Sequence, residues 1–311
     1  MVLLRHLERV GRRFRAPVLT LGNFDGVHRG HQEILHRVVS TARAIGGTAV
    51  ALTFEPHPAA VLSAATAPPL LTDWRSRIER IAAMGVDAVI VQRFTRAFSE
   101  ISAGDFVRRF LVAALGVHKV IVGHRVSFGH NREGRAAMLR HLGAEHGFGV
   151  EIVGPVDVEG FTVSSSAVRR AVRDGDLQRA WACLGRPASV SGRVVHGHHR
   201  GRDLGFPTAN LRVDGMVLPP DGVYAVWTQR PNGGRGGVAN LGRNPTFGNT
   251  SRSLEVHLFD LDEDLYGQRV EVGFVRRLRG ETRFASVQAL AEQITRDAAA
   301  ARRALHEAGW S

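Results

Sequence analysis

One cysteine, Cys183, one lysine, Lys119, and two tyrosines are all that this 311-residue chain holds of those types. A lone cysteine excludes an intramolecular disulfide, and no cysteine cluster offers a structural zinc site. No apolar run approaches the ~20 residues a transmembrane helix needs, and the N-terminal MVLLRHLERVGRRFR is broken by charge too early for the apolar stretch of a secretory signal. Both absences point to a cytoplasmic protein. The single lysine is followed by Val120, so no GK[ST] exists and a Walker A phosphate loop is excluded.

What is abundant is arginine. Lys and Arg together number 41 against 29 Asp and Glu, a formal charge of +12. The arginines are spread along the whole chain and form no tail or stripe, so a nucleic-acid partner is not expected. Hydrophobic content of 44% and charged content of 23% are those of an ordinary globular protein. At 311 residues the chain exceeds what one core usually organises, and two domains are expected.

The first half alternates short apolar runs with longer amphipathic ones, the pattern of a parallel α/β sheet. Strands are predicted at Val18 to Leu21, Thr48 to Phe54, Ala88 to Val91, Val120 to Val122 and Val150 to Val153. Between them, Gln32 to Ala44 place Ile34, Leu35, Val38 and Val39 on one helical face, and Ile78 to Met84 suggest a shorter helix. A doubly wound α/β domain follows, over 1–184. After a helix from Leu177 to Cys183, LGRPAS at 184–189 breaks the pattern, and the period then becomes two: Leu254, Val256 and Leu258 alternate with Glu255 and His257. Strands without intervening helices predict a small antiparallel β-barrel over 185–311, closed by a C-terminal helix from about Ser286 to His306.

Each half carries one phosphate-handling motif. In GNFDGVHRGH, residues 22–31, a strand ends, a glycine turn follows and a helix begins, which aims backbone N–H groups and a helix dipole at one point. His28 and His31 sit at that helix start, three apart, where both imidazoles can donate hydrogen bonds to a phosphoryl group as its charge develops. In GRDLGFPTAN, residues 201–210, glycines let the backbone approach phosphates closely, Thr208 offers a hydroxyl to a hard cation, and Asn210 points to the same face two residues on. Glu255, on the polar face of a predicted strand, suits a general base toward an alcohol. Two such motifs suggest two ATP-dependent steps. The acidic run Asp260, Asp262, Glu263 and Asp264 fits no EF-hand spacing and reads as a solvated hairpin. Phe128, Tyr224, Trp227 and Phe247 read as core aromatics.

GNFDGVHRGH, FEPHP at 54–58 and VSSSAVR at 163–169 resemble the signatures of prokaryotic bifunctional riboflavin kinase/FAD synthetases, and SGRVVHGHHRGRDLGFPTANL at 191–211, LPPDGVYAV at 218–226, NPTFG at 244–248 and LEVHLFDLDEDLYG at 254–267 resemble their kinase half. The resemblance implies a nucleotidyltransferase domain followed by a riboflavin kinase barrel, with ATP as co-substrate, Mg²⁺ as cofactor, and riboflavin and FMN as acceptors. It implies that Gly22, Phe24, Gly26, Ser164, Ser165, Ser166 and Arg169 bind the nucleotide of the adenylyltransferase and Gly197, Gly201, Arg202 and Gly205 that of the kinase. Thr208 and Asn210 would hold the metal, Glu255 would be the base, and His28 and His31 would stabilise the α-phosphorus.

One segment departs from the pattern. Where the family has VGxDFRFG or VGxNFRFG, this chain has VGHRVSFG, with Arg125, Val126 and Ser127 in place of Asp or Asn, Phe and Arg. An arginine at a buried acidic or amide position would reverse the local charge. Two readings stay open on that ground: both activities, or a riboflavin kinase with an altered or purely binding first domain.

Overall fold

The computed structural model describes residues 1–196, 205–229, 233–243, 252–261 and 263–310. The chain divides into two compact units, one of Met1–Pro68 and Trp74–Ser164, the other of Pro69–Asp73 and Ser165–Ser311.

In the first unit six parallel strands, β1 (Val2–Arg5), β2 (Pro17–Leu21), β3 (Thr48–Glu55), β4 (Ala88–Arg93), β5 (Lys119–Gly123) and β6 (Gly149–Val153), form one sheet in the order β1-β4-β3-β2-β5-β6. Strands buried on both faces need apolar residues at successive positions, and all five residues of β2 are buried. Val18, Ala49, Ala51 and Ile121 pack beneath α1 (Arg29–Ala44) and α2 (Trp74–Ala83). Leu19, Leu21, Val50, Leu52 and Val120 face the opposite core, with Phe106, Phe110, Leu139 and Leu142. The last two stand on α3 (Ala136–His146). The sheet is therefore covered on both sides, as the alternation predicts. Edge strand β1 was not predicted, because it pairs only with β4 and most of its residues are exposed, which leaves no apolar period to read. A small hairpin, β7 (Asp157–Val158) with β8 (Phe161–Thr162), ends this unit.

The second unit begins with α4 (Ser165–Asp174) and α5 (Leu177–Leu184) and continues into a closed antiparallel barrel. Its strands are β9 (Ala188–Val195), β10 (Ala209–Arg212), β11 (Gly222–Gln229), β12 (Arg235–Arg243), β13 (Arg252–Leu258) and β14 (Arg269–Arg279), ordered β10-β13-β12-β11-β14-β9. Val190, Val194, Leu211, Tyr224, Val226, Ala239, Leu254, Val256 and Phe274 fill its interior. Helix α6 (Val287–Glu307) lays Ala301, Ala304 and Leu305 on the outward residues Val223, Ala225 and Val238. A buried carboxylate fixes its position: Asp297 accepts from Arg279 Nε at 3.0 Å and Nη2 at 2.7 Å and from Gln293 Nε2 at 2.8 Å.

Candidate active sites

In the first unit the chain runs from β2 to β3 and β4 on one side, and β5 lies on the other side of β2. The crevice beyond the C-terminal ends of β2 and β5 is the switch point where open α/β sheets bind ligands. The loop after β2 carries the histidines, and its backbone is unusual. Phe24, Gly26 and Val27 all have positive φ (49°, 86° and 40°), a region only glycine enters without cost. Phe24 and Val27 are buried to within 2% exposure, and their packing holds the turn.

His28 is the N-cap of α1. Its Nδ1 accepts from the His31 backbone N–H at 3.3 Å, so the proton of the neutral ring resides on Nε2. The two imidazoles stack at 3.6 Å between centroids, and Phe24 stands edge-on to His31 at 5.2 Å. A Cβ at Gly30 would come within 3.2 Å of the His28 ring, which explains a glycine between the two histidines. His31 Nδ1 is enclosed and has no hydrogen-bond partner among the described residues. Burial, and next the neighbouring His28, push the His31 pKa well below the ordinary histidine value. The ring is neutral at pH 7, and one N–H is its donor.

That depression has a consequence for stability. Below the unfolded value of about 6.5 the unfolded chain takes up a proton that the folded ring refuses, so stability falls as pH drops, by at most about 1.4 kcal/mol per pH unit, until the folded pKa is reached. We expect the urea midpoint of the first unit to fall between pH 7.5 and 5.5, and His31→Asn to shrink that fall. An unchanged pH slope in the variant would mean the ring titrates normally.

The loop after β5 faces the same crevice from its other side. Its Arg125 is exposed, which corrects the expectation of a buried charge reversal: the guanidinium is solvated and disturbs no core. Neighbouring Arg132 and Arg135 are exposed as well, beside the exposed Glu133, and leave the loop with a net positive surface. Arg132 Nε donates to Ser127 Oγ at 3.1 Å, and Phe128, buried as expected, bridges to Gly134. Of the second nucleotide signature, Ser164 ends the first unit, whereas Ser165, Ser166 and Arg169 open α4 in the other unit. There Arg169 is buried, and its Nε donates to the Pro69 carbonyl at 2.9 Å.

The barrel brings its candidate residues onto one rung. Asn210 on β10 pairs with Glu255 on β13, and Glu255 pairs with Asn240 on β12. All three alternate with interior residues, Leu211, Leu254 and Ala239, and so lie on the outer face, where directly opposed residues have Cβ atoms about 4.5–5.5 Å apart. Asn240 was not singled out from the sequence. Its signal was the alternation Val238, Ala239, Asn240, Leu241, which puts a carboxamide on the face of Glu255 once β12 and β13 are known to pair. Thr208 precedes β10, and its segment is tied down because His257, two residues beyond Glu255, donates from Nδ1 to the Pro207 carbonyl at 2.9 Å. Gly205, with φ of 81°, supplies the turn before it.

Gly197, Gly201, Arg202, Phe247 with the rest of NPTFG, and Asp262 lie outside the described residues. The acidic run behaves as a solvated hairpin where it is described. Asp260 forms an exposed bidentate pair with Arg302 at 3.0 Å, which holds its carboxyl below the usual range, and Asp264 accepts from the Tyr266 N–H at 2.9 Å. Tyr224 is fully buried and donates to the Pro220 carbonyl, so it is a core residue.

A family model described as FAD synthetase matches residues 12–167, and one described as riboflavin kinase matches 184–305. The chain belongs to the bifunctional riboflavin kinase/FMN adenylyltransferase family. It is 42% identical over 303 residues to the Pseudomonas fluorescens protein of that name, covering 97% of each chain. It is 41% identical over 289 residues to the Escherichia coli K12 protein, covering 92% of this chain and 91% of the other. A solved structure described as a macrolide-efflux protein from Streptococcus pneumoniae superposes with a TM-score of 0.83 at 30% identity, over 96% of this chain and 97% of that one. No described helix is long and apolar enough to cross a membrane.

Proposed function

We infer that this chain catalyses two consecutive steps in the cytoplasm, phosphorylation of riboflavin to FMN and adenylylation of FMN to FAD, each consuming ATP. Residues 1–184 carry the second step and residues 185–311 the first. The observation that carries the kinase is the rung Asn210, Glu255, Asn240 beside Thr208. Glu255 accepts the proton of the ribityl 5′-hydroxyl as that oxygen attacks the γ-phosphorus, and ADP leaves. The hydroxyl of Thr208 and the carboxamide of Asn210 are hard oxygen donors of the kind Mg²⁺ takes, and they would hold it next to Glu255. Bound there, the ion would neutralise charge on the transferring phosphates.

For the adenylyl transfer, the supporting feature is the stacked pair His28 and His31 at the switch point of the sheet. Their N–H groups and the start of α1 stabilise charge on the α-phosphoryl as an FMN phosphate oxygen attacks and pyrophosphate departs. No protein nucleophile takes part. The exposed basic loop after β5 suits an acceptor that already carries a phosphate, which favours FMN over riboflavin in this site. Gly22, Phe24 and Gly26 shape the nucleotide turn. Both sites take small molecules, and no nucleic acid is required.

The test is chromatography of products after incubation with Mg²⁺, ATP and either riboflavin or FMN. FMN from riboflavin and FAD from FMN are expected, and chelation of the metal should stop the first reaction. FMN accumulating without FAD would reduce the chain to a kinase, the one rival reading for which the Arg125 segment speaks.

A further inference from the structure

Arg77 lies on α2, remote from both phosphate motifs in sequence, and is 1% exposed. It is the largest fully buried side chain of the protein among the described residues. Its Nη2 donates to the Phe54 carbonyl at 3.0 Å and to Glu55 Oε2 at 2.6 Å, whereas its Nε has no partner among the described residues. The carboxylate it meets is 37% exposed and therefore well solvated. As a contribution to stability this is a poor arrangement. A guanidinium taken wholly out of water, with one donor unused and a half-solvated counter-ion, does not repay its desolvation, and an apolar side chain of similar length would pack there at least as well.

What the guanidinium does provide is a fixed direction for the end of β3. Thr53, next in the chain and fully buried, donates from Oγ1 to the Asn23 carbonyl at 3.3 Å, and the Gly22 N–H donates to the Leu52 carbonyl at 3.0 Å. These two bonds join the last turn of β3 to the loop that carries the histidines. From Asn23 the chain passes to Phe24, whose ring abuts His31. Arg77 thus grips β3 at Phe54 and Glu55, immediately beyond the residues that grip the histidine loop. Beyond Glu55 the strand runs out into Pro56 and His57, and His57 caps the short helix Pro58–Leu62 by accepting from the Ala59 N–H at 3.2 Å.

We propose that Arg77 is a positioning residue for adenylyl transfer, setting the histidine loop and the FEPHP turn against each other through the C-terminal end of β3. It rests on the assignment of adenylyl transfer to this unit. The side chain touches no reacting atom. A displacement of about 1 Å at a remote support costs up to about 100-fold in rate, so loss of the grip is expected in kcat and not in folding.

The experiment uses the full chain, with riboflavin phosphorylation by the barrel as an internal control. Arg77→Met is expected to form FAD from FMN with kcat reduced about 10- to 100-fold, KM for ATP within about threefold of the parent, urea midpoint equal or higher, and FMN formation unchanged. Arg77→Lys, which keeps the charge but lacks the planar fork that fixes the direction of Nη2 toward its two acceptors, should recover part of the rate. Thr53→Val, nearly isosteric, cuts the next link and should lower kcat in the same direction even if Arg77→Met fails to fold. Parent kcat in Arg77→Met, or a rate loss that only follows the unfolded fraction, overturns the proposal, as does full activity in Thr53→Val. A parent protein that forms no FAD at all removes the functional reading first and this inference with it.

Discussion

Glu255→Ala is expected to abolish riboflavin phosphorylation, with kcat down by about 100- to 10,000-fold, the usual share of a positioned general base, while FAD formation from added FMN continues at the parental rate. The reasoning is local. Glu255 stands on an outer rung of the barrel between Asn210 and Asn240, with Leu254 and Val256 on either side of it buried in the interior. Truncation therefore removes a carboxylate from a face that remains otherwise intact, and the barrel core is not opened. Measurement of FMN by chromatography at saturating ATP and riboflavin, beside ATP binding by calorimetry, separates the base from a binding role. Retained turnover would sink the assignment. So would a loss confined to KM, because a group acting only in the transition state lowers kcat and kcat/KM together. Glu255→Gln should be nearly as inactive, since the amide keeps the shape but cannot accept the proton.

The second large effect is expected at the histidine pair. His28→Ala or His31→Ala should lower FAD formation by about 100- to 1,000-fold, the range for losing one donor to a developing oxyanion, and leave FMN formation from riboflavin unchanged. The two variants should not add in the logarithm. The His28 ring accepts from the His31 backbone and stacks on the His31 ring, so removing either one disorders the other. A double variant that multiplies the single losses would show that the rings act independently. A single variant with parental FAD formation would remove the pair from the mechanism altogether. Because burial keeps His31 neutral through the ordinary histidine range, its titration is expected to leave activity unchanged between pH 8 and about 6.5.

Much of the fold was legible because burial imposes a period. The five predicted strands of the first unit and the face of Ile34, Leu35, Val38 and Val39 are found where the alternation placed them. The helical segments between β4 and β5 were not read, although Phe106, Val107, Phe110 and Leu111 form their buried face. Strand β1 escaped for the opposite reason, having no buried face of its own. In the candidate sites, residues within one motif were accessible to inspection, since His28 and His31 lie one helical turn apart and Thr208 and Asn210 two residues apart. Residues supplied by other elements were not. Asn240 enters only through the register of β12 on β13, and Arg77 only because α2 lies over the end of β3. The Arg125 substitution was misjudged because exposure is a property of the folded loop and not of the residue type.

By itself, then, the sequence determined the two-part α/β and barrel architecture, the two phosphate-handling motifs and the family. Each of these rests on short-range periodicity or on side chains a few residues apart, and such spacing is already set by the local backbone. Tertiary structure decided which strands are neighbours, hence that Asn210, Glu255 and Asn240 share a rung, that His31 is neutral, that Arg125 is solvated and that a buried arginine grips β3. Those properties depend on desolvation and on contacts between residues far apart in the chain, and only the packed fold creates them.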